Sequence, residues 1–378
     1  MISIPSFAKI NLGLKIGPAR PDGFHELRTI YQTLALHDVV RVEALPGSGI
    51  EIRCADPRVP RDESNTCYKV AEHVLKATIL GKQAGAPKEE PQVPRPARDD
   101  KDKVADYGAP KGAPLQRKVV IVIEKRLPVQ GGLGAASSNA LATMLGLERA
   151  LDVELSAADK RRIAAEVGSD VPLFLIGGTV LGLGRGEEVY PLADMPQLHV
   201  VVVTPPVGVS TPKAFARWDE LNAGATLTGL EAAGTIDEFS AGVLAWLNAN
   251  FPQAGAPTNP AFGFAEVEAG PASGVPAAGG DRAETLLLDL VRAGIENDFE
   301  RVVFPEHPEL REVKELLLRA GAQYASLSGS GSTVYGLFAS ADEAQAAAER
   351  IRAAGHAAVA TTSLTRAEYW KAMGAASD

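Results

Sequence analysis

Apolar and polar positions alternate along the first stretch of the chain: Ala8, Ile10, Leu12, Leu14 and Ile16 are interleaved with Lys9, Asn11, Gly13 and Lys15. Successive strand side chains point to opposite faces, so this period of two predicts a half-buried β-strand. Gly17-Pro18-Ala19-Arg20-Pro21-Asp22-Gly23 predicts a turn-rich loop, and Val40, Val42 and Ala44 a second strand. Val70, Ala71, Val74, Leu75 and Ile79 form one apolar helical face, with Asn65 placed to cap it. The β-branched run Val119–Ile123 predicts a buried strand that leads through Leu127-Pro128 into a glycine-rich loop and a helix from about Ala136 to Leu151. Ser156 and Asp159 carry a capping-box signal for a further helix, which Gly168 ends. The C-terminal part reads helix (308–320), strand (324–328), loop, strand (333–338), helix (341–354), strand (357–362). Both halves are therefore α+β.

Composition narrows what such a chain can be. Its 378 residues, 46% apolar and 22% charged, suffice for two domains with ordinary cores. A net charge of −9 argues against a basic nucleic-acid-binding surface. Two cysteines, Cys54 and Cys67, make neither a disulfide framework nor a zinc pattern. Lys9 interrupts the N-terminal apolar stretch and no apolar run approaches a membrane span, so a cytoplasmic protein is expected. Glycine and proline are concentrated in 81–117 and 222–282, where they make up about a quarter of the residues, which predicts two loose insertions. The second carries one amphipathic patch, Phe239 to Phe251, long enough for a short helix.

Three segments carry candidate chemistry. In Pro128-Val129-Gln130-Gly131-Gly132-Leu133-Gly134-Ala135-Ala136-Ser137-Ser138, glycines permit close backbone approach, and the helix that follows offers free N–H groups to phosphate oxygens. The spacing is neither that of a Walker loop nor that of a dinucleotide fingerprint, and a structural turn with a helix cap would look the same. In Ser6-Phe7-Ala8-Lys9-Ile10-Asn11-Leu12, Lys9 and Asn11 share one strand face, where they could orient a hydroxyl or phosphate, or simply meet solvent. Leu327-Ser328-Gly329-Ser330-Gly331-Ser332-Thr333 is either a tight hairpin turn or a second phosphate-facing loop.

Taken in order, and with Arg20-Pro21-Asp22-Gly23-Phe24-His25, Glu124-Lys125-Arg126-Leu127-Pro128 and Asp170-Val171-Pro172, these segments resemble the galactokinase, homoserine, mevalonate and phosphomevalonate kinase superfamily. Within it they look like the branch that acts on 4-diphosphocytidyl-2-C-methyl-D-erythritol in the non-mevalonate isoprenoid pathway. The resemblance runs from Ser6 to about Leu364, apart from the two insertions. It implies a two-domain α+β fold: a ribosomal-protein-like N-terminal domain over 1–182 and a ferredoxin-like C-terminal domain over 183–378. It further implies ATP on the glycine-rich loop, Mg²⁺ on its phosphates, and transfer of the γ-phosphoryl to the 2-hydroxyl of a cytidyl diphosphate sugar-alcohol held between the domains.

Residue by residue, the resemblance makes Asp170 the base and Lys9 its partner. Asn11, His25, Lys125 and Thr211 become contacts to the acceptor, with Phe24 and Phe215 flanking its cytosine; ordinary core packing is the alternative for both rings, as a helix cap is for Asp170. Departures are Ala135 and Ala136 where many relatives carry glycine, Gln130 for a small residue, and Phe24 for tyrosine. The loop must then avoid positive φ at both alanines. A sister kinase for homoserine or mevalonate and a non-catalytic ligand-binding relative are the competing readings. No metal-ligand cluster is legible, no nucleic-acid or membrane partner is expected, and the expected state is a monomer or weak homodimer.

Overall fold

The fold is that of a computed structural model, and the structure describes residues 1–84, 117–222 and 296–374. Most of both predicted insertions, with the Phe239–Phe251 patch, lies outside those residues.

Two long strands, β1 (Ile2–Ala19) and β2 (His25–Pro46), form an antiparallel hairpin around which the rest assembles. The far edge of β2 changes partner along its length. Val39–Pro46 pairs with β4 (Arg117–Glu124), and Thr29–Gln32 pairs with β5 (Thr179–Leu183). β3 (Gly49–Cys54) adds parallel to β4, and β6 (Glu188–Pro191) adds antiparallel to β5, to make a six-stranded sheet.

Helices α1 (Thr66–Ala84), α2 (Ala135–Leu151) and α3 (Ala157–Val167) cover one side, with Val42, Ile121, Val70, Val74, Leu141 and Met144 in one apolar core. Asn65 caps α1 as predicted, its Oδ1 accepting from the Cys67 amide at 2.8 Å. Ser156 caps α3 through the Asp159 amide at 3.1 Å. α2 lies close on β2 because position 146 is glycine: a Cβ there would stand 2.6 Å from Val42 Cγ2.

The second sheet is antiparallel in the order β10-β7-β9-β8, from β7 (His199–Val203), β8 (Tyr324–Leu327), β9 (Val334–Phe338) and β10 (Ala358–Thr362). This is the ferredoxin-like order that the resemblance implies. α5 (Thr211–Asn222), α6 (Glu300–Glu306) and α7 (Pro308–Arg319) come between β7 and β8, and α8 (Ala341–Ala353) joins β9 to β10. Trp218, Phe304, Leu310, Val313 and Ile351 pack against one face of this sheet. Its other face packs on the first sheet, Val200, Val202, Tyr335 and Leu337 against Ala8, Ile10, Leu12 and Leu34.

Two corrections follow. β1 is not half-buried: Lys9 is 3% and Asn11 1% exposed, because the second sheet covers one face and the loops of the site cover the other. The expected boundary at 182/183 falls inside β5, and the first sheet continues to Pro191. The chain also returns to the first core at α9 (Arg366–Gly374), where Tyr369 and Met373 are fully buried. Tyr369 Oη donates to the Phe174 carbonyl at 2.8 Å. The run His199-Val200-Val201-Val202-Val203 is an apolar, β-branched signal that the pattern reading passed over. Among the described residues no helix is long and apolar enough to cross a membrane.

Candidate active site

The three candidate segments meet at one place. The amide of Lys9 donates to the Leu133 carbonyl at 3.0 Å, that of Thr333 to the Gly131 carbonyl at 3.1 Å, and the Ser328 hydroxyl to the Gly132 carbonyl at 2.9 Å. The glycine-rich loop is thus fastened to β1 on one side and to the 328–333 loop on the other. Gly132 has φ +80°, and a Cβ there would run into the Ser328 carbonyl oxygen. Gly134 has φ +68°, and a Cβ would stand 2.9 Å from Lys9 Cγ. Both positions therefore require glycine. Ala135 and Ala136 do not, since they form the first turn of α2. Gln130, by contrast, takes φ 59°.

Two cavities flank this loop. The larger, about 760 Å³, is lined by Lys9, Asn11, Phe24, His25, Asp170, Phe215 and the 329–331 turn. The smaller, about 490 Å³, is lined by Pro128–Ser137 and by Arg58, Asn65, Lys125 and Asn139. Asp170, Thr211, Gln130, Gly132 and Gly134 line both, so the cavities adjoin at Asp170. No side chain caps α2, which leaves first-turn amides free toward the smaller cavity, a setting that favours anions.

Lys9 Nζ lies 3.4 Å from Asp170 Oδ2 and donates to Asn11 Oδ1 at 2.7 Å. Asn11 Nδ2 donates in turn to Thr29 Oγ1 at 2.7 Å, and Thr29 to the Gly13 carbonyl at 2.8 Å. This chain of bonds fixes a buried ammonium beside a carboxylate that is 31% exposed. Asp170 precedes the single turn α4 (Val171–Phe174) and makes no cap hydrogen bond, so the helix-cap alternative does not account for it.

The residues expected to meet the acceptor divide. Phe24 is 51% exposed with the Arg185 guanidinium 4.9 Å over its ring, which excludes core packing. Phe215 is half-buried, stacked on His25 at 5.0 Å and meeting Phe299 edge-on. His25 Nε2 bonds to Asp219 Oδ1 at 2.7 Å. Thr211 Oγ1 lies 2.7 Å from Ser330 Oγ, linking α5 to the 328–333 loop.

Lys125 is not among the residues that line the larger cavity. It lines the smaller cavity, and its ammonium is held 2.5 Å from the fully buried carboxylate of Asp38. Asp38 also accepts from the Arg126 and Leu127 amides at 2.6 and 2.7 Å and from Asn139 Nδ2 at 3.1 Å, locking the exit of β4 to α2. Ser138 is wholly buried, and its hydroxyl finds no hydrogen-bond partner. Cys54 and Cys67 are free and buried; burial pushes the Cys67 thiol up to about 12.

The sequence reading passed over Asp38, Arg185 and Tyr31. A carboxylate directly before the β-branched pair Val39-Val40 was a usable signal for the first. Nothing local marks the other two.

Comparison with known proteins agrees with this geometry. The GHMP kinases N-terminal domain model matches residues 103–178, and the GHMP kinases C-terminal model matches 283–357. The 4-diphosphocytidyl-2-C-methyl-D-erythritol kinase of Solibacter usitatus is 32% identical over 334 residues, covering 88% of this chain and 80% of that protein. The enzyme of the same name from Acaryochloris marina is 32% identical over 350 residues, covering 92% and 90%.

Among solved structures, a 4-(cytidine 5′-diphospho)-2C-methyl-D-erythritol kinase superposes with TM-score 0.60 at 26% identity, covering 96% of this chain and 99% of its own. Homoserine kinase from Cytophaga hutchinsonii, at TM-score 0.59 and 17% identity over 97% and 95% of the two chains, shares the fold. With relatives above 30% identity matched over most of their length, and the three segments gathered round one carboxylate, the chain belongs to the 4-diphosphocytidyl-2-C-methyl-D-erythritol kinase family of GHMP kinases.

Proposed function

We propose that this protein transfers the γ-phosphoryl group of ATP to the 2-hydroxyl of 4-diphosphocytidyl-2-C-methyl-D-erythritol. The observation that carries this reading is the position of Asp170, on the wall shared by the two cavities. A hydroxyl entering from the larger cavity and a phosphate lying on the glycine-rich loop would meet there. Phosphoryl transfer relies on positioning and charge stabilisation, with a base to orient the nucleophile and take its proton.

In this assignment Asp170 accepts the proton of the 2-hydroxyl. The Lys9 ammonium, held by Asn11, lies beside the attacking oxygen. The amides of the loop and of the first turn of α2 face the phosphates. Phe24 and Phe215 supply flat apolar faces for the cytosine.

The fit to a magnesium-bound nucleotide rests on the capless α2, whose first turn lines the smaller cavity. Ser138, wholly buried with an unpartnered hydroxyl, lines neither cavity. Among the described residues no group of three metal-ligating side chains is placed to hold the cation, so the phosphates would supply most of its ligands. When bound, Mg²⁺ neutralises charge on the transferring group. Lys125 and Asn139 belong, in this reading, to the nucleotide side.

The decisive assay is ATP consumption with the cytidyl diphosphate acceptor set beside homoserine and mevalonate. Turnover with the first alone is expected, and turnover only with either of the others overturns the assignment. Asp170→Asn should lower kcat about a hundredfold or more with ATP binding little changed. Near-normal kcat in that variant would remove the base from the mechanism.

A further inference from the structure

Tyr31 lies in the middle of β2, 3% exposed, opposite Asn11 in the β1–β2 register. Its hydroxyl donates to Asp170 Oδ1 at 3.2 Å, while Lys9 stands at Oδ2 on the other side of the same carboxylate. Lys9 Nζ also lies 5.4 Å from the centre of the Tyr31 ring.

The ring occupies a slot formed by two glycines of the β5–β6 hairpin. A Cβ at Gly182 would stand 2.5 Å from Tyr31 Cε2, and one at Gly186 2.5 Å from the hydroxyl. Gly182 is not at positive φ, so what it provides there is room for the ring. The hairpin thus holds the phenol in one orientation, with its hydroxyl toward the carboxylate.

From this geometry we infer that Tyr31 is a positioning residue for the phosphoryl transfer, holding Asp170 so that the carboxylate presents one orientation to the acceptor hydroxyl. The inference rests on the role proposed for Asp170. With Oδ1 bonded to the phenol and Oδ2 beside Lys9, the carboxylate has little freedom to turn about its χ2 axis. A side chain aligned before the acceptor arrives spares the reaction the cost of ordering it. Burial, and then the charge of Asp170, push the phenol well above its ordinary value, so Tyr31 stays a protonated donor in the working range. The charged groups facing this pair are Lys9 from β1 and Glu187 from the β5–β6 turn.

A hydrogen bond donated to a carboxylate favours its ionised form. Tyr31→Phe keeps the ring in its slot and removes only the donor. The expected result is a fall in kcat of about three- to tenfold, with acceptor and ATP KM nearly unchanged. The double variant Tyr31→Phe, Asp170→Asn should be no slower than Asp170→Asn alone, because the tyrosine acts through the carboxylate.

An unchanged kcat in Tyr31→Phe, or a loss confined to KM, with Asp170→Asn still impaired, would overturn the role of Tyr31 and leave that of Asp170 intact. An equal further loss in the double variant would also overturn it, showing a purely structural effect. If Asp170→Asn itself kept near-normal kcat, the base assignment would fall, and the positioning role with it. Gly182→Ala, which crowds the ring but keeps the hydroxyl, gives a second route: it should reproduce the slower turnover in the folded protein, and normal kcat there would count against the slot.

Discussion

Phe24 and Phe215 differ in what their removal should cost. An exposed ring adds little to folding, so Phe24→Ala should leave the unfolding midpoint nearly unchanged while raising acceptor KM. Phe215, half-buried between His25 and Phe299, should cost some stability as well as several-fold in acceptor KM, with KM for ATP constant. Base–aromatic stacking of about 1 kcal/mol or more per ring sets that scale. Steady-state kinetics beside thermal unfolding separates the two contributions, and an unchanged acceptor KM in both variants would remove the cytosine contact. Phe24→Tyr should be silent in both measurements.

At this scale the sequence was a good guide wherever chemistry has a motif. Lys9, Asn11, Asp170 and the loop glycines all arrive at one place. It showed less at Lys125, because a strand-end lysine gives no sign of the buried Asp38 with which it pairs. Tyr31 was invisible, since a tyrosine in a strand looks like core until its hydroxyl is seen to have a partner.

The elements on either side of the glycine-rich loop are held by polar contacts made across long sequence separations. Asp38 is the clearest case: four donors from Lys125, Arg126, Leu127 and Asn139 converge on one carboxylate with no exposure. Removing one partner of a buried ion pair strands the other, so Asp38→Ala should destabilise by about 3 to 5 kcal/mol in chemical denaturation. Loss of that size would accompany weakened ATP binding, since the same contacts set the start of the loop; a change under about 1 kcal/mol would contradict the account.

Strands and helices with a clear period were legible in advance: the α1 cap, the α3 cap and the helices and strands after 308 lie close to where the pattern puts them. The length of β1 and β2 was not. Register shifts near Phe7, Asn11 and Ile16 interrupt the pairing, and Lys9 and Asn11, which read as a surface stripe, are themselves buried.

The molecule as a whole is less sequential than a division near 182 suggests. α9, at the far end of the described chain, completes the core of the first sheet, and a Cβ at Gly177 would run into the Tyr369 ring. Ending the chain before Arg366 should therefore lower the unfolding temperature by several degrees and reduce kcat, because Phe174 and the turn behind Asp170 lose their support. Retention of full stability and activity by such a truncation would show α9 to be peripheral. Replacing 82–116 by a short Gly/Ser linker should by contrast cost little, as the composition offers little to bury; thermal unfolding and kinetics of that variant provide the check.

That return of the chain sets a timetable for synthesis. A ribosome adding roughly 5–20 residues per second takes roughly 20 to 70 s to pass from Lys9 to Tyr369. Throughout that interval the β1–β2 hairpin can form beside the exit tunnel, but the ring that closes on Gly177 has not been made. A prematurely terminated product carries both Lys9 and Asp170 and lacks the helix packed behind them. A fragment that stops short of α9 should therefore unfold more readily, and turn over more slowly, than the chain that carries it.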